Sequence, residues 1–276
     1  MINLISNLSE NAKLEQLYAF NQAVAWFLRD AFIKLGYECR FQRDHDSVIQ
    51  PADHSIIFSA VAMKRMRSEP AYYTAVRKAT KQKVMLYLDS DFQGWDQLYD
   101  IVFTVTNPLP SSSKKFVYAG WGADPNYCYP EQDEKAVFLD KCQDLSARGL
   151  AYAQIFKIYK EVLPTTGLKI LHATRWMKWL EMQNQFFRKA HYYCCTQFGE
   201  SGLTRIEAAT CGALLIVPKL LYMPRTMGSL EHVIWNTKED LIAALKLETN
   251  PKEISENAKK HTWNLVAKRI IERLKI

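Results

Sequence analysis

The sequence predicts an α/β fold made of two halves, each a mostly parallel sheet wrapped by helices. Three observations carry this expectation. Short apolar runs bounded by polar turns alternate with longer segments of helical periodicity, the βαβ rhythm of a doubly wound sheet. The runs are almost continuously apolar, as strands covered on both faces are. A Gly- and Pro-rich passage, 120–130, divides a chain of 276 residues, a length suited to two compact cores of roughly 100–150 residues each.

Taken in order, Ile2–Ser6 reads as the first strand. From Leu14 to Leu35 apolar residues recur at helical spacing (Leu17, Phe20, Val24, Phe27, Leu28, Phe32) and stop at Gly36, a helix with a glycine terminator. Glu38–Gln42 is a short strand and Ser55–Ala60 a second apolar run. Val84–Leu88 is a buried strand ending in Asp89-Ser90-Asp91, followed by the strand Ile101–Thr106, a turn over Asn107–Ser113 and the strand Lys115–Ala119. The passage Gly120-Trp121-Gly122-Ala123-Asp124-Pro125 opens the linker, so the halves are expected at 1–125 and 126–276. The second half continues with the strand Ala136–Leu139, a helix through Tyr152–Leu163 and the strand Leu168–Ala173. A helix around Gln183–Ala190, the strand Tyr192–Thr196 and a final helix from about Lys252 to Leu274 complete it.

Composition narrows the functional classes. Apolar residues make up 48% of the chain and no run approaches the ~20 residues that span a bilayer. Met1–Ser6 lacks the basic start and long apolar core of a secretory signal, which together point to the cytoplasm of a bacterial or phage-infected cell. The six cysteines (Cys39, Cys128, Cys142, Cys194, Cys195, Cys211) show no C-x-x-C spacing and sit mostly in apolar stretches, as reduced buried thiols do. The adjacent Cys194 and Cys195 alternate across a strand and are read as core. No histidines pair at i, i+4, so no protein-held metal is expected. A divalent cation carried by a nucleotide would leave no such mark.

The densest signal is Gln197-Phe198-Gly199-Glu200-Ser201-Gly202-Leu203-Thr204-Arg205-Ile206-Glu207-Ala208-Ala209-Thr210-Cys211-Gly212, followed by the apolar Ala213–Pro218. It reads as a polar turn, a helix opening with unpaired backbone N–H groups, a Cys-Gly stop and a buried strand. A helix start binds anions, and Glu207 one to two turns inside is placed to accept the paired hydroxyls of a ribose or hexose. The plainer reading is an ordinary strand–helix–strand unit.

This stretch resembles the donor-sugar motif of the GT-B glycosyltransferases, whose retaining members carry a glutamate, Gly-Leu, a second glutamate and Ala-x-x-x-Gly before a buried strand. Gly202-Leu203, Glu207-Ala208 and Gly212 fall in that register. The first glutamate departs: six residues rather than seven separate Glu200 from Glu207, and Gly199 holds the usual place, so Glu200 serves through a shifted turn or not at all. Gly122-Ala123-Asp124 and the aromatic and proline that follow it are similar to the crossover of these enzymes, and Thr262-Trp263 to their terminal helix, which packs back on the first domain. The resemblance implies two Rossmann-like domains facing a cleft. It further implies a nucleotide-sugar co-substrate, with no other cofactor, and an enzyme that retains anomeric configuration.

In that frame the donor diphosphate needs cations and N–H donors. The resemblance points to Lys141 and Arg148 in the first loop of the second half, to Arg175 and Lys178 after the strand ending at Ala173, and to Glu200, Ser201, Gly202, Leu203, Thr204 and Glu207 of the motif. Arg175 stands out because it follows a buried strand at its carboxyl end. Exposed, solvated charge is the alternative for each cation. For catalysis the candidates are Glu207 with Asp89 and Asp91, in a loop that in this family faces the anomeric centre; turn capping is the equal alternative for the aspartates.

Charge speaks to the acceptor. Lys64, Arg65, Arg67, Arg77, Lys78, Lys81 and Lys83 stand against Glu69 alone, a local net of +6 in a chain of +7. With Tyr72, Tyr73 and Trp95 as bases' stacking partners, Lys64, Arg65, Arg67 and Lys81 are read as binding a polyanionic acceptor. Duplex DNA carrying a hydroxymethylated base would make the chain similar to the phage enzymes that glycosylate such bases. A cell-surface glycan or lipid-linked acceptor, or a non-catalytic GT-B-like module binding nucleic acid, accounts for the same charge. So does a solvated basic helix over a buried Tyr pair.

Overall fold

The computed structural model describes residues 1–18, 21–88, 94–105, 113–139, 150–173, 177–196, 202–222 and 229–275. The chain forms two compact units, Met1–Trp121 with Trp263–Ile276, and Gly122–Thr262.

The first unit carries strands β1 (Ile2–Ser6), β2 (Cys39–Arg43), β3 (Ala52–Ile57), β4 (Thr80–Leu88), β5 (Ile101–Thr104) and β6 (Phe116–Tyr118). They form one sheet in the order β2-β1-β3-β4-β5-β6, every pair parallel. Parallel neighbours require a crossover, supplied by α1 (Asn21–Lys34), α2 (Ala60–Ser68) and α3 (Pro70–Ala79). Ala62, Met66, Tyr72 and Val76, at helical spacing on α2 and α3, bury against Ile5, Ile57, Val84, Leu86 and Val102 of the strands. Ser59 caps α2 by accepting the Ala62 N–H, and Pro70 at the first position of α3 fixes the sharp break after Glu69.

The second unit has β7 (Ala136–Leu139), β8 (Lys169–His172), β9 (Tyr192–Cys194), β10 (Leu214–Pro218) and β11 (His232–Trp235) in the parallel order β11-β10-β9-β7-β8. Its helices are α4 (Leu150–Val162), α5 (Trp179–Gln185), α6 (Leu203–Thr210), α7 (Lys238–Ala244) and α8 (Pro251–Ala258). Val137, Leu139, Cys194, Leu214 and Ile216 meet Ile155, Tyr159, Leu241 and Ile254 in its core. Five cysteines, Cys39, Cys128, Cys194, Cys195 and Cys211, are buried free thiols, and burial pushes Cys39 up to about 12.

Three helix expectations need correction. The run Lys252–Leu274 is not one helix but α8 and α9 (Trp263–Leu274). Between them the backbone turns outward to pair with residue 123: Ala123 N–H donates to the His261 carbonyl at 2.9 Å and Ala123 bridges Thr262. The helix placed around Gln183–Ala190 starts earlier, at Trp179, and breaks at Phe186, whose φ of −127° lies outside the helical region. The break lets Phe186 and Phe187 both reach the Phe138 ring, at centroid distances of 5.1 and 5.2 Å. Likewise, Leu14–Leu35 resolves into a 3-10 turn at Leu14–Gln16 and α1 from Asn21.

Candidate active site

Of the motif that dominates the sequence, Gly202–Gly212 lies within the described residues and forms α6 and its two ends. Gly202 caps α6 with helical dihedrals (φ −71°, ψ −9°) and, having no side chain, supplies no side-chain cap to the first N–H groups of α6. The helix is buried almost throughout; of residues 202–210 only Thr204 is partly accessible, and its hydroxyl accepts from the Tyr193 phenol at 3.1 Å.

The far end of α6 is clamped. The Ser255 hydroxyl donates to the Thr210 carbonyl at 2.7 Å, and the Gln132 amide donates to the Cys211 carbonyl at 2.8 Å. Gln183 Oε1 receives the Cys211 thiol at 3.4 Å and the Cys128 thiol at 3.5 Å. Burial, then the neighbouring Cys211, pushes the Cys128 thiol well above its ordinary value, so this sulfur acts as a small apolar group.

Glu207 sits on this clamped helix and is only 4% exposed. Its Oε1 accepts the indole N–H of Trp179 at 2.6 Å. A buried carboxylate without such a partner would be strongly disfavoured. Trp179 had no role in the sequence reading; the one local hint was its place directly after Lys178, past the carboxyl end of β8. Lys178 is exposed and caps α5 without a side-chain bond. Of the expected donor residues, the structure therefore brings together Gly202, Leu203, Thr204 and Glu207 on α6. Lys141, Arg148, Arg175, Glu200 and Ser201 lie outside the described residues, as do Asp89 and Asp91.

The basic segment of the first unit differs from its sequence reading. Lys64, Arg65 and Arg67 are on α2, Tyr72 and Tyr73 on α3, but Lys81 and Lys83 lie on β4. Tyr72 and Trp95, expected as stacking platforms, are 3% and 4% exposed, and burial raises the Tyr72 phenol to about 12. Tyr72 belongs to the core because it lies on the inward stripe of α3, and Trp95, which opens a 3-10 turn at Trp95–Gln97, packs into the same cluster. Guanidinium groups lie on their outer faces: Arg65 at 3.8 Å from the Tyr72 ring centroid and Arg67 at 3.8 Å from that of Trp95. Tyr73 is half-buried beneath Arg77. Much of the cationic charge is also answered: Arg65 by Glu69 at 2.9 Å, Arg77 by Asp100 at 2.7 Å and Lys81 by Asp53 at 3.5 Å.

A feature absent from the sequence reading is a cavity of about 340 Å³ in the first unit, past the carboxyl ends of β1 and β2, lined by Glu10, Phe41, Gln42, Arg43, Asp46 and Gln50. Its walls are pre-set. The Phe41 N–H donates to Glu10 at 2.7 Å and Arg29 pairs with the same carboxylate, while the Gln42 amide donates to Asp46 at 2.6 Å.

No family model matches the chain, and no curated protein matches it in sequence. Its fold is nonetheless shared along the whole length by solved structures. A sucrose-phosphate synthase from Thermosynechococcus elongatus superposes with a TM-score of 0.58 at 13% identity, covering 99% of this chain and 98% of that one. The lipopolysaccharide outer core galactosyltransferase WaaB gives 0.53 at 13% identity, covering 99% of both chains. A Listeria monocytogenes protein described as a putative UDP-N-acetylglucosamine 2-epimerase gives 0.57 at 10% identity, covering 99% and 95%. The fold class is thus α/β with two Rossmann-like units of the GT-B type. No helix among the described residues is long and apolar enough to cross a membrane.

Proposed function

We propose that this chain is a nucleotide-sugar-dependent glycosyltransferase, retaining at the anomeric carbon, with the donor bound by the second unit and a hydroxyl acceptor by the first. The observation that carries the reading is the Glu207 carboxylate held on a clamped, buried helix that opens at Gly202, which offers no side-chain cap, after the carboxyl end of β9. Open α/β sheets bind ligands at that end, and a bare helix start receives phosphate. Backbone N–H groups at the start of α6 would take the diphosphate, assisted by Lys178, and Glu207 would accept donor hydroxyls. In the reaction the new bond forms between acceptor oxygen and anomeric carbon as the bond from that carbon to the diphosphate oxygen breaks. The acceptor proton passes to the departing diphosphate, so no strong protein base is needed. Retention rests on the motif's resemblance to the retaining enzymes.

A polyhydroxylated acceptor, a glycan or a glycan-bearing lipid, fits better than a DNA base. The cavity past β1 and β2 offers carboxylates, an amide and a guanidinium, the groups that bond hydroxyls. The basic segment, by contrast, offers buried rings and paired arginines.

The test begins with UDP, GDP, ADP and dTDP as stabilisers against heat. A binder at 100 times its Kd adds about 2.7 kcal/mol of stability. The matching labelled nucleotide sugar is then offered with and without glycan acceptors. Stabilisation by one nucleotide and acceptor-dependent transfer are expected. Absence of any stabilisation would refute the donor site, and conversion of the sugar without an acceptor would favour an epimerase on the same fold.

A further inference from the structure

We infer that Trp179 is the positioning residue of the proposed donor site, the group that orients the Glu207 carboxylate. The inference rests on the donor-site reading above and adds to it a residue that the motif does not contain.

The contact joins two elements 28 residues apart, the first position of α5 and the middle of α6. Indole N–H is a donor only, so the carboxylate must accept, and a bond of 2.6 Å is at the short end for N–H to a charged oxygen. Such a bond favours the ionised acid. The indole has no freedom to leave: Trp179 is 2% exposed and meets the Tyr127 ring edge-on at 5.9 Å. Tyr127 is fixed in turn, its carbonyl accepting from Arg188 Nε at 2.8 Å. From Arg188 through Tyr127 and Trp179, a rigid path thus ends on one oxygen of Glu207.

The consequence for binding is geometric. A glutamate has three rotatable bonds, and two adjacent hydroxyls can be gripped only when the carboxylate plane is set beforehand. A carboxylate accepts at about four lone-pair sites and the indole takes one of them. Trp179 thereby holds the carboxylate plane before the donor arrives, which spares the cost of ordering the side chain on binding.

The decisive variant is Trp179→Phe in the full chain, which keeps a ring in the core and removes the N–H. Binding of UDP, GDP, ADP and dTDP is measured by calorimetry across pH. For the nucleotide that binds the unsubstituted protein, about tenfold weaker binding is expected. The acid limb of binding should also move to higher pH, since Glu207 loses a bond that favours its ionised form; a purely structural role would not shift that midpoint. A second measurement, independent of how the variant folds, uses the unsubstituted protein: the Trp179 indole N–H resonance should move when that nucleotide saturates the site. An unmoved resonance, or a folded variant with unchanged affinity and pH midpoint, would overturn the role of Trp179 alone. No binding by the unsubstituted protein would overturn the donor site and this role with it.

Discussion

Gly212→Ala tests how firmly the helix carrying Glu207 is held. Gly212 follows the last residues of α6 with φ at +87°, a conformation that costs an alanine about 1–2 kcal/mol. Space is the second obstacle. An added Cβ would lie 2.5 Å from the Pro251 carbonyl oxygen and 2.9 Å from the Pro251 Cβ, so α6 and α8 must move apart. Overpacking of this kind costs typically about 1–3 kcal/mol, giving roughly 2–5 kcal/mol in all. Gly167→Ala is the matched control, in the same unit, with φ at +71° and nothing within 4 Å of its added Cβ. It should cost only the backbone term, about 1–2 kcal/mol. Urea unfolding of both variants at constant slope separates the two contributions by their midpoints. If Gly212→Ala costs no more than Gly167→Ala, then Pro251 yields freely and the contact does not clamp α6.

Three further outcomes are expected. Glu207→Gln should fold and lose about 1.5–3 kcal/mol of donor affinity or transition-state binding, read from kcat/KM at limiting donor; unchanged turnover would remove Glu207 from the site. Burial holds His54 below its ordinary pKa, with Asp53 opposing, so as pH falls below about 6.5 the unfolded chain takes up a proton first and stability declines. His54→Leu should therefore lessen the fall in melting temperature between about pH 6.5 and 5, and an equally steep fall would show that His54 does not contribute. Finally, three of the seven cations in the basic segment, Arg65, Arg77 and Lys81, are paired with Glu69, Asp100 and Asp53, so any duplex-DNA binding should show a log–log salt slope no steeper than about −4. A slope near −6, flattened by reversing the charges of Arg65, Arg67 and Lys81, would restore DNA as acceptor.

What the sequence alone determined was the fold class and the order of most elements, although β11 (His232–Trp235) and α7 (Lys238–Ala244) carried no signal that was read. Strands such as Val84–Leu88 and Leu214–Pro218 are legible because burial on both faces writes an apolar run into the local sequence, whatever packs against it. The α6 segment is legible for a similar reason, since its turn glycine, its glutamate and its terminating Cys-Gly are neighbours in the chain. Tertiary structure decided the rest, wherever a partner lies far away. The split between α8 and α9 depends on pairing with Ala123, and the ion pairs of Arg77 and Lys81 depend on Asp100 and Asp53. Tyr72 and Trp95 illustrate the ambiguity: beside a basic run they read as surface rings, while the folded chain turns one from α3 and the other from a 3-10 turn into the same core. Trp179 and Glu207 meet only because two helices of one unit converge, and no local pattern encodes a hydrogen bond between side chains 28 residues apart.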